Sequence, residues 1–178
     1  MTTLDPTNED EAARLEAVRR YQILDTPADQ SFDRITALAA ELFDVPIALV
    51  SIVDHDRIWF KSRYGLEAVE QIDRDPGLCA SAIMSDEPYV VEAAREDPRT
   101  LANPLVSGKF GLQFYAASPI RAQGGRLGTI CIIDREPRVF SPRQAEILQR
   151  LSDIVVDQLE LRLGAMVAIR EAKGAPAG

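Results

Sequence analysis

Two thiols and one imidazole are the soft or strongly nucleophilic groups of this chain: Cys79, Cys131 and His55. Cys79 stands in Gly77-Leu-Cys-Ala-Ser-Ala-Ile83, at the start of a short predicted helix, where a thiolate would be favoured. The other reading of Cys79 is a small apolar core residue, the usual fate of a free cysteine. His55 reads as a turn residue; a zinc or haem site would need further ligands at the usual spacings, and the sequence supplies none. Gly124-Gly125-Arg126-Leu127-Gly128 reads as a hairpin turn, because no Gly-Lys-Ser/Thr follows to make a phosphate loop. Arg95, Asp97 and Arg99 could fix an anion, or pair locally in a solvated loop. Trp59 and Tyr115 could stack a planar ligand, or fill the core. With no triad and no metal set, the expectation is a protein that is not an enzyme and whose cofactor, if any, the sequence does not name.

The elements that must position these residues follow from periodicity and punctuation. A helix is expected over 7–21, with Ala12, Leu15 and Val18 on one stripe and acidic residues in the first turn. Thr26 is the expected N-cap of a second helix, with Pro27 at N1, Asp29 at N3 and a stripe of Phe32, Ile35, Leu38, Ala39 and Leu42. Asp44-Val45-Pro46 ends it. Residues 47–54 are almost wholly apolar and β-branched, a strand covered on both faces, and 57–64 pairs with it across the His55-Asp56 turn. A short helix within 77–86, a short strand within 88–93 and a loop over 95–111 with one helical turn lead to a second hairpin, 113–121 with 126–134. Ser141-Pro142-Arg143-Gln144 is a capping box that opens a long helix with Leu148, Leu151, Val155 and Leu159 on one seam.

Composition bounds the function classes. The 178 residues carry 20 Lys plus Arg against 28 Asp plus Glu, a net charge of −8, and 46% hydrophobic residues. That is one ordinary globular domain by length and composition. An acidic chain lacks the basic face that nucleic-acid binding needs, and no apolar run approaches the ~20 residues that span a bilayer. With no apolar leader and only two cysteines, a reduced, cytoplasmic setting is expected.

The segments resemble, in order, a known family. Residues 8–27, Phe32-Asp-Arg-Ile35, Val45-Pro-Ile-Ala-Leu-Val-Ser-Ile-Val-Asp54 and Trp59-Phe-Lys-Ser62 are similar to GAF domains of bacterial sensor histidine kinases and diguanylate cyclases. So are Asp97-Pro-Arg99, Asn103-Pro-Leu-Val106, Phe114-Tyr115 and Leu127-Gly-Thr-Ile-Cys-Ile-Ile-Asp134. The resemblance implies an α+β fold: a central antiparallel sheet with N- and C-terminal helices on one face and a ligand pocket on the other. It implies a sensory or regulatory module that binds a small molecule or partner and signals through its helices, with no kinase, cyclase or phosphodiesterase signature of its own. One domain is expected over 8–170, with disordered ends at 1–7 and 171–178, either free-standing or cut from a larger protein with a kinase or cyclase output domain. Relatives often carry Cys-Ala-His where this chain has Cys79-Ala80-Ser81.

Strand alternation then assigns the faces. With a connection at 122–125, Ala117 faces Ile130 and Tyr115 faces Ile132, which puts Gln113, Tyr115, Ile132 and Asp134 on one face and Phe114, Thr129 and Cys131 on the other. The first face is the more polar and is taken as the pocket side. The expected ligand contacts are Ser51, Tyr115, Ile132 and Asp134, with Cys79 on the lid. Some stand-alone GAF proteins reduce free methionine-R-sulfoxide with pocket cysteines; the expected placement of Cys131 beneath the helices argues against that activity, and a ligandless dimerisation module is the further alternative. A homodimer through the terminal helices is expected, because a second apolar seam (Ile147, Ile154, Leu161), with Leu15 and Val18, would otherwise stay wet.

Overall fold

β1 (Ile47–Val53) is buried at every position, as its unbroken apolar run requires. Ala48, Val50 and Ile52 face one core, and Ile47, Leu49 and Val53 face a second. The computed structural model describes residues 6–174. Around β1 stand α1 (Pro6–Arg20), α2 (Gln30–Phe43), β2 (Arg57–Tyr64), β3 (Gln71–Asp73), α3 (Leu78–Ala82), β4 (Tyr89–Val91), α4 (Pro104–Ser107), β5 (Phe114–Ala122), β6 (Gly125–Asp134) and α5 (Pro142–Gly174). The strands form one antiparallel sheet in the order β3-β2-β1-β6-β5-β4. α1, α2 and α5 cover one face, while α3, α4 and the connecting loops close the other. This is the α+β arrangement the sequence predicts, with one edge strand, β3, that its short polar segment did not reveal. No helix among the described residues is long and apolar enough to cross a membrane.

Several boundaries differ from expectation for local reasons. α2 is capped by Asp29, whose side chain accepts from the Ser31 amide, and not by Thr26. The Thr26 hydroxyl is already engaged, donating to Ile23 O at 2.6 Å and accepting from Lys61 Nζ at 2.9 Å. Leu38 and Leu42 stand 46% and 53% exposed on the outer side of α2, outside the buried stripe. α1 seats Leu15 and Val18 against the sheet, so those two residues are covered within one chain. α1 begins at Pro6 and α5 runs to Gly174, so helix occupies positions assigned to the ends; the rest of both ends lies outside the described residues. The Ser141–Gln144 capping box forms as expected, with both reciprocal bonds made.

The 33-residue α5 is about 50 Å long at 1.5 Å per residue. Its buried residues, Leu148, Leu151, Ser152, Val155 and Leu159, all lie in its first two thirds. Gly164 continues the helix, and a Cβ there would meet nothing within 4 Å. Gly164→Ala should therefore stabilise the chain by about 0.5–1 kcal/mol, read as a rise in thermal midpoint; a fall would mean that the bare backbone is used as a contact.

The second hairpin decides the site. Its turn is two residues long, Gln123 (φ 53) and Gly124 (φ 77), both left-handed, as tight hairpins prefer. Near the turn, Ala122 pairs with Gly125 and Arg121 with Arg126. Beyond it, Ile120 pairs with Gly128 and Ala117 with Cys131. Leu127 is thus the extra residue of a β-bulge, and it reverses every face assignment along the rest of β6.

Candidate functional site

On the face away from the long helices, the core encloses a polar knot around one sulfur. Cys79 enters from α3, placed by the buried Leu78 and Ala82 on either side of it. Tyr115 on β5 donates its phenolic proton to Cys79 Sγ at 3.1 Å, and Thr129 on β6 donates from Oγ1 at 3.5 Å. Ser51 on β1 sets its hydroxyl 3.4 Å from Cys79 Sγ and 3.9 Å from Cys131 Sγ. Cys79 is 4% exposed and Cys131 fully buried, and neither is in a disulfide. The neighbouring Cys131 thiol, with the hydroxyls of Ser51, Tyr115 and Thr129, draws the Cys79 thiol down against the opposing effect of burial. The Cys131 thiol, beside that sulfur and desolvated, is pushed well above its usual range. Such an arrangement can hold a thiolate without a neighbouring cation, by thiol and hydroxyl donors.

Ser51, Cys79 and Tyr115 thus come together, while Ile132 and Asp134 do not join them. Ile132 packs in the core under α1, α2 and α5. The Asp134 carboxylate turns the same way and accepts from Arg138 Nε at 2.6 Å; Arg138 in turn donates to Phe43 O at 3.0 Å and to Asp44 O. It is an anchor of the β6–α5 connection on the C-terminus of α2, where a cation suits the free carbonyls. The bulge at Leu127 corrects both placements, and it brings in two residues assigned to the helix side, Cys131 and Thr129. Trp59 lies in the helix-side core and Tyr115 in the other, so they cannot stack one ligand between them. Arg99 pairs with Asp97 at 2.6 Å and lies over the Tyr89 ring, the local-pair reading of that loop.

Gln113 precedes β5 by one residue and, by strand alternation, shares the face of Tyr115 and Ala117. Its amide Nε2 is buried and has no hydrogen-bond partner among the described residues. Three surface cavities are lined elsewhere. One of about 860 Å³ sets Arg14, Arg74, Arg121 and Arg126 against Glu11 and Asp86. One of about 600 Å³ lies between Asp97, Arg99 and Phe140. The third, about 650 Å³, is lined by Asp33, Trp59 and Lys61.

Comparison with known proteins places this geometry among relatives. The sequence model of the GAF domain matches residues 27–159. A cyclic di-GMP phosphodiesterase of Pseudomonas aeruginosa is 38% identical over 156 residues, 86% of this chain; the match spans only 26% of that protein, so the chain covers about a quarter of its length. Among solved structures, the free methionine-R-sulfoxide reductase of Neisseria meningitidis matches 93% of this chain and 96% of its own at a TM-score of 0.64 and 16% identity. The GAF domain of an Acinetobacter phosphoenolpyruvate-protein phosphotransferase matches 89% of this chain and 97% of its own at a TM-score of 0.60 and 17% identity. At those identities the structures share the fold.

Proposed function

The chain belongs to the GAF domain family, and on that premise we propose that it is a cytoplasmic, non-catalytic sensory module that binds a small polar molecule on its α3-side face and reports through α5. The observation that carries this reading is Gln113: a buried amide donor without a partner is costly, and a ligand acceptor would satisfy it. The route to the output helix is short. Thr129, bonded to Cys79, pairs across the strands with Pro119, whose carbonyl accepts from Ser152 Oγ of α5 at 2.6 Å. In a longer protein α5 would feed an output domain; a kinase or cyclase fits the family, and the match to a cyclic di-GMP phosphodiesterase adds that class. The test is native mass spectrometry of the purified protein beside its Gln113→Leu variant. A retained small molecule that the variant loses is expected, with the empty variant more stable than empty wild type by about 1 kcal/mol. Identical spectra and unchanged stability would overturn it.

The second reading, reduction of free methionine sulfoxide, is favoured by the two thiols on one face. It would need free methionine sulfoxide, larger than a peroxide, to reach a Cys79 that is 4% exposed and already ringed by Ser51, Tyr115 and Thr129. Incubation with free methionine sulfoxide and a thioredoxin-coupled reductant should show no consumption; turnover that vanishes in Cys79→Ser would establish the enzyme instead.

The partner proposed for the helical face is a second copy. Ile154, Leu161, Val167 and Ile169 of α5 are exposed, as are Leu38 and Leu42 of α2, an apolar set that water solvates poorly. Light scattering at micromolar concentration should give a dimer, and Ile154→Glu a monomer. A wild-type monomer at every concentration would leave α5 without this role.

A further inference from the structure

We infer that Cys79 and Cys131 are a peroxide-reactive dithiol that closes into a disulfide between α3 and β6. The geometry that carries this is the convergence of two thiols and three hydroxyls at one buried point. Ser51 Oγ lies within hydrogen-bond reach of both sulfurs, and Tyr115 and Thr129 both aim protons at the sulfur of Cys79. A structural cysteine in an apolar core needs none of these donors. Three hydroxyls spent on one thiol favour its anion, which is the form that attacks an O–O bond. The titratable groups that face Cys79 are Cys131 from β6 and Tyr115 from β5. Tyr115 donates to it, the Cys79 sulfur and burial hold the Cys131 proton on, and burial holds that of Tyr115, so Cys79 is the group these donors favour as the anion.

The chemistry balances with hydrogen peroxide as the named oxidant. The Cys79 thiolate attacks one peroxide oxygen, the O–O bond breaks, and a sulfenic acid forms as hydroxide leaves and takes a proton. Cys131 then attacks the sulfenic sulfur and gives up its proton, and the sulfenic oxygen departs as water. Two thiols lose two electrons and two protons, and the peroxide becomes two waters; an external dithiol reverses the change. Access runs past α3, a five-residue helix whose N-cap is Gly77 with no side-chain cap. Ser81 and Met84 beside it are exposed. Short, weakly capped segments of this kind open locally far more often than the sheet beneath them. Closure would tie α3 to the middle of β6 and withdraw the sulfur from its three donors.

The experiment is peroxide treatment of the folded full chain at a few-fold molar excess, followed by denaturation, thiol titration and non-reducing peptide mapping. Expected is the loss of both titratable thiols, a mass loss of two hydrogens and a peptide linking Cys79 to Cys131 within one chain. In Cys131→Ser, dimedone should label Cys79; in Cys79→Ser, Cys131 should stay reduced. The rate should rise with pH through a midpoint below that of a free thiol, and Tyr115→Phe should move that midpoint up by about one unit, the worth of one hydrogen bond to a charged sulfur. Two free thiols after treatment, or oxidation beyond the sulfenic state with no intrachain link, would overturn the inference. The wild-type map decides the matter if either serine variant misfolds.

Discussion

Gly128→Ala is expected to destabilise the chain by more than ~4 kcal/mol, a loss comparable to the whole stability of many domains. A Cβ built at Gly128 would sit 1.8 Å from Ser51 O, 2.7 Å from Ser51 C and 2.8 Å from Ile52 Cα. All three atoms are backbone of β1, so no side-chain rotation relieves the clash. The central β1–β6 ladder would have to part where Gly128 pairs with Ile52 on one side and Ile120 on the other. Gly124→Ala is the contrast: its position is left-handed, yet a Cβ meets nothing within 4 Å, so the cost is the backbone strain alone, about 1–2 kcal/mol. Urea unfolding of both variants tests the pair. A Gly128→Ala midpoint as close to wild type as that of Gly124→Ala would mean that the strands yield where the packing says they do not.

The same glycine marks the limit of what the sequence discloses. Capping at Ser141, the apolar run of β1 and the two hairpins were legible because each depends on neighbours in the chain: a hydroxyl three residues from a glutamine, or alternation over eight residues. Thr26 was misjudged because its hydroxyl is taken by Lys61, 35 residues away. β6 was misread from Gly128 onward because a single extra residue at Leu127 changes the parity of all that follows. Its one signal was the glycine itself, since an interior strand glycine often marks a bulge or a close backbone approach. Ser51, Cys79 and Tyr115 survive that error, since none of them lies on β6. Ile132 and Asp134 do not, and Cys131 and Thr129 replace them for the same reason. Gln113's missing partner has no sequence signature at all, because satisfaction is a property of the surroundings.

Arg14→Ala is expected to cost about 3 kcal/mol and, more diagnostically, to flatten the acid limb of the stability curve. The Arg14 guanidinium is buried between α1 and the sheet, donating to Val53 O at 2.8 Å and to Arg126 O at 3.2 Å. It also grips Glu11 through two bonds, at 2.8 and 3.0 Å. Arg74 reaches the same carboxylate and donates to Asp54 O, so one acid on α1 joins two strand-end loops to the helix. Truncating Arg14 removes the donor from Val53 O and Arg126 O and leaves a part-buried Glu11 held by Arg74, and two or three charge-assisted hydrogen bonds lost together cost about 3 kcal/mol. The Arg14 hydrogen bond is the largest cause of a Glu11 pKa lowered from 4.5 to about 2, outweighing partial burial, with Arg74 adding to it. Because the folded value is the lower one, this stabilisation is complete above about pH 4.5 and is lost as pH falls toward 2. After allowance for the solvent that reaches Glu11, it amounts to about 1–2 kcal/mol. Without Arg14, Glu11 should titrate nearer its usual range, and the fall between pH 4.5 and 2 should shrink by a similar amount. Denaturant unfolding at intervals across that window reads both quantities. Parallel curves for wild type and Arg14→Ala would show that the carboxylate is held by Arg74 alone, and that α1 is docked by Leu15, Val18 and Tyr21 without help from charge.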